Sequence, residues 1–254
     1  MGLQKEKGLW GSVFIMTRPD QQTIQERKDF LQTIAECAET PSKFSEIFLD
    51  HDVFDYNKRY VDCKDRFIVY RSGRQVGKTM STAVKAIHFA FFAPLMLDTV
   101  KHECTIVIAA PTQNQAGIMF DRIRSLIVNN KFLKGYVVRN TQTEMWVRFL
   151  DNTGMSKIIT RATGEHGTTL RGYSPHCIIA DECSFIKTDI LRAFLPSGMA
   201  TNARVWLTST PFSKSGYFFE ACQNSKLKKP DGLWTEFHIK STDNPLVRKD
   251  PTFL

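Results

Sequence analysis

Apolar positions along the chain fall first into a helical rhythm and then into alternation between two rhythms. Over Asp20–Glu39, the residues Ile24, Phe30, Leu31, Ile34 and Ala38 recur at helical spacing, and Thr40-Pro41 closes the run. Phe44, Ile47 and Phe48 repeat that spacing over Pro41–Leu49. From Phe67 onward, short β-branched and apolar runs alternate with longer amphipathic ones. The pattern predicts strands at Phe67–Tyr70, Thr105–Ala110, His176–Ala180, Val205–Thr208 and Thr235–Ile239. Helices are predicted at Lys78–Phe92, Gln113–Val128, Thr188–Leu195 and Gly216–Asn224. Such alternation implies an α/β fold, a mostly parallel sheet with helices on both faces. Between these elements, Tyr136–Arg139, Met145–Leu150 and Lys157–Arg161 alternate apolar and polar residues around Asn152-Thr153-Gly154, which suggests an antiparallel insertion. Residues 1 to about 20 read as irregular, so the chain divides into a small helical preface over 1–60 and an α/β domain over 61–254.

The first strand runs into Arg71-Ser72-Gly73-Arg74-Gln75-Val76-Gly77-Lys78-Thr79 and then a helix. A strand, a glycine-containing loop ending in Gly-Lys-Thr and a helix form the context of a P-loop, a site for a nucleoside triphosphate. Gly77 lets backbone N–H groups approach a phosphate without an intervening Cβ, and the helix directs its positive N-terminus at the same oxygens. Lys78 is expected to reach the β- and γ-phosphates, and Thr79 to offer its hydroxyl to Mg²⁺. The usual spacing places a glycine where Ser72 stands, with Gly73 one place later.

A second constellation lies downstream. Cys177-Ile178-Ile179-Ala180-Asp181-Glu182 puts two carboxylates at the end of an apolar strand. In a P-loop ATPase the first holds the metal through its water shell and the second polarises the attacking water, which assigns Asp181 to Mg²⁺ and Glu182 to general-base catalysis. Leu207-Thr208-Ser209-Thr210-Pro211 brings hydroxyls to the end of another strand, where they can bond the γ-phosphate or the water. The same string also fits an ordinary turn.

Composition adds little that changes this picture. The chain has 254 residues, 42% of them apolar, and 34 Lys and Arg against 26 Asp and Glu give a net charge of +8, compatible with a polyanionic partner. Six scattered cysteines form no Cys-x-x-Cys pair, and no metal-ligand histidine spacing occurs, so reduced thiols and no zinc are expected. The apolar run Leu9–Met16 is too short to span a bilayer, as is Ala86–Leu97, which implies a cytoplasmic location.

The ordered set Gly73-Arg74-Gln75-Val76-Gly77-Lys78-Thr79, Ala109-Ala110-Pro111-Thr112-Gln113-Asn114-Gln115-Ala116, Leu170-Arg171-Gly172, Ile178-Ile179-Ala180-Asp181-Glu182, Thr208-Ser209-Thr210-Pro211 and Thr242-Asp243-Asn244-Pro245 resembles the ATPase domain of the terminase large subunit. That subunit is the DNA-packaging motor of tailed bacteriophages and related viruses. The resemblance covers roughly residues 41–254 and implies a P-loop fold of the additional-strand (ASCE, RecA-like) type. By that resemblance, Gly73, Arg74, Gln75, Gly77, Lys78 and Thr79 bind ATP, with Arg74 at the γ-phosphate. Arg171 resembles a finger that reaches the neighbouring subunit's ATP, a task suited to a fixed, planar cation; a structural ion pair or a DNA contact is the other reading. Thr208, Ser209 and Thr210 match the motif that couples hydrolysis to movement. Family members place an aromatic and a glutamine upstream of the loop for adenine; here Phe54, Tyr56 and Asn57 stand there without a glutamine. Gln113 and Gln115 receive no assignment.

The resemblance further implies double-stranded DNA as partner, a homo-oligomeric ring, a portal protein and a small terminase subunit, all acting in the cytoplasm of the infected host cell. Large terminases usually continue into a ribonuclease H-type nuclease domain, and with the sequence ending at Leu254 no nuclease activity is expected of this chain. The rival expectations are a helicase-like DNA translocase, which would bring a second motor domain, and a nucleotide-dependent DNA-binding switch, for which Glu182 would be superfluous.

Overall fold

The computed structural model describes residues 21–247 apart from 171 and 229. The expectations for residues 1–20 and for Arg171 therefore lie outside the described residues. Three helices open the chain: α1 (Gln21–Glu39), α2 (Pro41–Leu49) and α3 (Asp55–Val61). They are followed by β1 (Phe67–Ser72), α4 (Lys78–Met96), β2 (Glu103–Ala110) and α5 (Gln113–Asn129). Next come β3 (Val137–Asn140), β4 (Glu144–Arg148), β5 (Met155–Ala162) and β6 (Cys177–Asp181). The last elements are α6 (Thr188–Phe194), β7 (Arg204–Ser209), α7 (Tyr217–Asn224) and β8 (Thr235–Ile239).

All eight strands join one sheet in the order β3-β4-β5-β2-β6-β7-β1-β8. Six neighbouring strands, from β5 across to β8, pair in parallel, and β4 alone runs against them, pairing antiparallel with β5 on one side and with the edge strand β3 on the other. The expected antiparallel insertion is thus corrected in part. β5 pairs antiparallel with β4 but parallel with β2 along eight residues, Glu103↔Met155 to Ala110↔Ala162, and so belongs to the main sheet. Alternation within Lys157–Arg161 reports which side chains enter the core, not which neighbour the strand chooses.

Parallel strands are buried on both faces, and the two-residue period divides their side chains between two cores. Ile68, Tyr70, Ile106, Ile108, Ile179 and Trp206 face α4, α5 and the opening helices. Val69, Val107, Ile178, Ala180, Val205 and Leu207 face α6 and α7 on the other side. Helix α4 is buried continuously from Ser81 to Ala93, sandwiched between the sheet and α1–α3. Phe44 of α2 anchors that second contact, with ring centroids 5.7 Å from Phe92 and 5.6 Å from His88, both edge-on. The seven-residue α3 has too few apolar positions to show a period, and the sequence did not predict it; it is fixed by Tyr60, which stacks on Tyr70 of β1 at 4.1 Å. No helix among the described residues is long and apolar enough to cross a membrane.

His88 supplies a polar pin within this core. Its Nε2–H donates to the carbonyl of Cys37 at 2.8 Å, tying α4 to α1. Burial disfavours the imidazolium and pulls its pKa down from 6.5 to about 3. The unfolded chain therefore takes up a proton below about pH 6.5 that the fold refuses until near pH 3, so this contribution to stability is present above that window and lost as pH falls through it. In His88→Gln, which keeps a donor but cannot titrate, stability between pH 6 and pH 4.5 is expected to fall less steeply than in the wild type, by up to about 1.4 kcal/mol per pH unit. Urea midpoints measured across that range check this; parallel slopes would contradict it.

Candidate nucleotide site at the carboxyl ends of the strands

The loop between β1 and α4 takes its shape from three neighbours. Ser72, standing where the common pattern has glycine, is still in β1, buried and in register with Ile239, so no glycine is required there. The requirement falls one residue later: a Cβ on Gly73 would lie 2.3 Å from Ser241 Oγ and 2.5 Å from its backbone nitrogen. Gly77 ends the loop with φ +76°, in the left-handed region that favours glycine. Gln75 adopts φ +59°, a tolerated but uncommon conformation for a residue with a side chain. Asn57, fully buried on α3, donates from Nδ2 to the carbonyl of Val76 at 2.7 Å and accepts at Oδ1 from Tyr70 Oη–H at 2.6 Å. The expected nucleotide contact at Asn57 is accordingly replaced by a supporting role, because both ends of its amide are committed behind the loop.

Helix α4 begins at Lys78, so its unpaired N–H groups meet the loop. Lys78 Nζ donates to Asp181 Oδ1 at 2.9 Å and to Glu182 Oε1 at 2.8 Å. Burial alone would lower the pKa of this ammonium, but the charges of Asp181 and Glu182 outweigh it and raise the value. Thr208 Oγ1, fully buried on β7, donates to the same Asp181 Oδ1 at 2.6 Å. Strand β7 lies between β1 and β6 and pairs Asp181 with Thr208, which brings these three elements to one point.

Glu182 departs from the strand with φ +49°, a non-glycine residue in the left-handed region immediately after Asp181. The 3-10 turn Cys183–Phe185 that follows is fixed to β7, because Ser184 N–H donates to Ser209 Oγ at 3.1 Å. The Ser209 hydroxyl has a single proton; its contact to Thr210 O is 3.0 Å and that to Glu182 Oε2 is 3.4 Å, so the carbonyl is the better acceptor. Thr79 and Thr210 are half-buried in the same region, and Arg74 is exposed on the loop. Beside it, Phe54 and Tyr56 stack with centroids 5.2 Å apart and planes 9° apart, and the Phe54 ring lies 3.5 Å from where a Gly77 Cβ would be. Gln113 proves to be structural, its Oε1 accepting from Ala162 N–H at 3.2 Å where β5 ends.

The site therefore combines a P-loop, a lysine, two adjacent carboxylates and hydroxyls from the intervening strand. Mg²⁺ fits the donor set, since Thr79, Asp181 and Glu182 offer only oxygen and that hard cation prefers oxygen. Arg171 was expected here as well; only its neighbours are described, with Leu170 buried under α6 and Gly172 at φ +85°.

Comparison with known proteins agrees with this geometry. The family model for the terminase large subunit, ATPase domain, matches residues 53–218. The large terminase ATPase domain of Thermus phage P74-26 superposes with a TM-score of 0.65 at 21% identity, covering 81% of this chain and 87% of that one. The large terminase of bacteriophage HK97 gives 0.62 at 17% identity over 80% of this chain and 43% of its own. The thermophilic bacteriophage D6E enzyme, solved in complex with ADP, gives 0.61 at 12% identity over 77% and 47%. At these identities the structures establish the fold, and this chain spans about half the length of the latter two. Curated proteins gave no match.

Replacing Lys78 tests the charge arrangement directly. In Lys78→Ala, Asp181 and Glu182 lose their shared cation and are left facing each other without it. A loss of roughly 1–3 kcal/mol at pH 8 is expected, recovered in part by adding Asp181→Asn. Urea denaturation of the wild type, Lys78→Ala and the double variant would show it, and a stability unchanged in Lys78→Ala would contradict it.

Proposed function

Because this chain belongs to the family of terminase large subunit ATPase domains, we propose that it hydrolyses ATP to drive double-stranded viral DNA into a preformed capsid. The observation that carries the reading is the convergence of Lys78, Asp181, Glu182 and Thr208 at the carboxyl ends of β1, β6 and β7. Backbone N–H groups of the loop and the start of α4 would receive the phosphates, with Lys78 neutralising charge on the β- and γ-oxygens. Thr79 and Asp181 would hold Mg²⁺, which when bound offsets charge developing on the phosphates. Glu182 would orient the attacking water and accept its proton, from a position held by the turn that Ser209 secures. Arg74 is free to swing toward the γ-phosphate because it is exposed on the loop. The Phe54–Tyr56 stack offers a flat apolar face for the base, and the ADP complex of the D6E enzyme supports an adenine nucleotide.

Movement of DNA asks more of the protein than hydrolysis. In this reading the subunits form a ring around the duplex, docked on the portal and loaded by the small terminase subunit, in the cytoplasm of the infected cell. Arg171 would reach the neighbour's ATP, which makes turnover depend on assembly. The net charge of +8 suits sequence-independent phosphate contacts that weaken with salt.

ATP turnover per subunit, measured over a range of protein concentrations, tests these assignments. It is expected to climb with concentration in the wild type, to fall at least a hundredfold, by a rough estimate, in Glu182→Gln, and to stay low at every concentration in Arg171→Ala. Turnover that survives Glu182→Gln would remove the base assignment. A flat concentration profile with Glu182→Gln still inactive would retain the ATPase and remove the trans role of Arg171.

A further inference from the structure

The P-loop is gripped from a second side by the segment that follows β8, and the chemistry of that grip is specific. After β8 the chain enters a 3-10 turn, Ser241–Asp243, then Asn244 and Pro245. Gly73 N–H donates to Ile239 O at 2.8 Å, and Ser241 lies so close to Gly73 that no side chain fits between them. Asn244, 7% exposed, donates from Nδ2 to the carbonyl of Gln75 at 2.6 Å. Its Oδ1 accepts from Leu246 N–H at 2.9 Å, so the amide cannot rotate without losing both bonds. Asn57 holds the next carbonyl, that of Val76, from the opposite side. Two asparagines, 187 positions apart by their numbers, thus fix two successive peptide groups of one phosphate-binding loop.

We infer that Asn244 is a positioning residue for nucleotide binding, and that it links the shape of the P-loop to the segment that follows β8. Orienting the carbonyls of Gln75 and Val76 also orients the peptide planes whose N–H groups a phosphate would meet, since each peptide unit is rigid. Gln75 is the residue with φ +59°, so its conformation is one that needs an external partner to persist. Linkage makes the effect reciprocal: if Asn244 favours the loop shape that takes nucleotide, nucleotide must in turn stabilise the segment that holds Asn244. The inference rests on the P-loop reading above.

Asn244→Asp is the sharpest variant, because it keeps size and the Leu246 acceptor while setting a carboxylate oxygen against the Gln75 carbonyl. Asn244→Ala removes the donor without adding repulsion and serves as the second variant. Titration with a fluorescent ADP analogue and Mg²⁺ is expected to give a Kd raised roughly five- to fifty-fold in Asn244→Asp and less in Asn244→Ala. The KM for ATP should rise in parallel, with kcat at saturation within about threefold of wild type. In the wild type, Mg²⁺ and ADP should slow amide exchange across residues 239–247, and Asn244→Asp should abolish that slowing. Unchanged Kd in both variants, or a 239–247 segment indifferent to ADP in the wild type, would overturn the link while leaving the ATPase reading intact. A wild type that binds no ADP would overturn both.

Discussion

One buried ammonium governs the arrangement of this molecule. Lys78 Nζ sits between Asp181 and Glu182, with Lys78 and Asp181 nearly out of solvent and Glu182 partly exposed, and one positive charge faces two negative ones. Charges taken out of water are tolerated only where their partners are placed closely and further hydrogen bonds share the load. Thr208 supplies such a bond to Asp181. For these groups to meet, the strand before the loop and the strand before the carboxylates must end at the same height with one strand between them. The parallel registers of β1 with β7 and of β7 with β6 provide that spacing. A slip of one residue in either pairing would turn Thr208 or Asp181 to the opposite face.

Much of this was legible in the sequence because it follows from local rules. Apolar runs of β-branched residues alternating with amphipathic stretches gave the strands and helices, and β8 and α2 have the boundaries that the periodicity predicts. The strings Gly77-Lys78-Thr79 and Asp181-Glu182 stand out in the sequence by residue type, and the fold brings Lys78 to both carboxylates. What escaped was long-range. Nothing within Lys157–Arg161 distinguishes a strand that joins β2 in parallel from one confined to a hairpin, because partner choice depends on residues some 50 positions away. Asn57 has the donors and acceptor of a ligand-binding amide, and only the surrounding fold shows both ends already used. The glycine displaced from position 72 to 73 becomes intelligible once Ser241, far along the chain, is seen against it.

Strand β7 touches both carboxylates by different routes. Thr208 contacts Asp181 directly, side chain to side chain. Ser209 reaches Glu182 mainly through the backbone, by accepting from Ser184 at the start of the turn that holds Glu182 at φ +49°. Left-handed backbone at a residue with a side chain is maintained by its surroundings, so a small displacement of Ser209 removes part of what maintains it. Shear between β6 and β7 would therefore move Asp181 and Glu182 together, whereas motion of either side chain alone would change only one. The same strand borders β1, and the loop after β1 is tied through Gly73 and Gln75 to the segment following β8. The cluster around Lys78 thus has a continuous mechanical connection across β6, β7, β1 and β8, made of named hydrogen bonds and close contacts at the carboxyl ends of four adjacent strands.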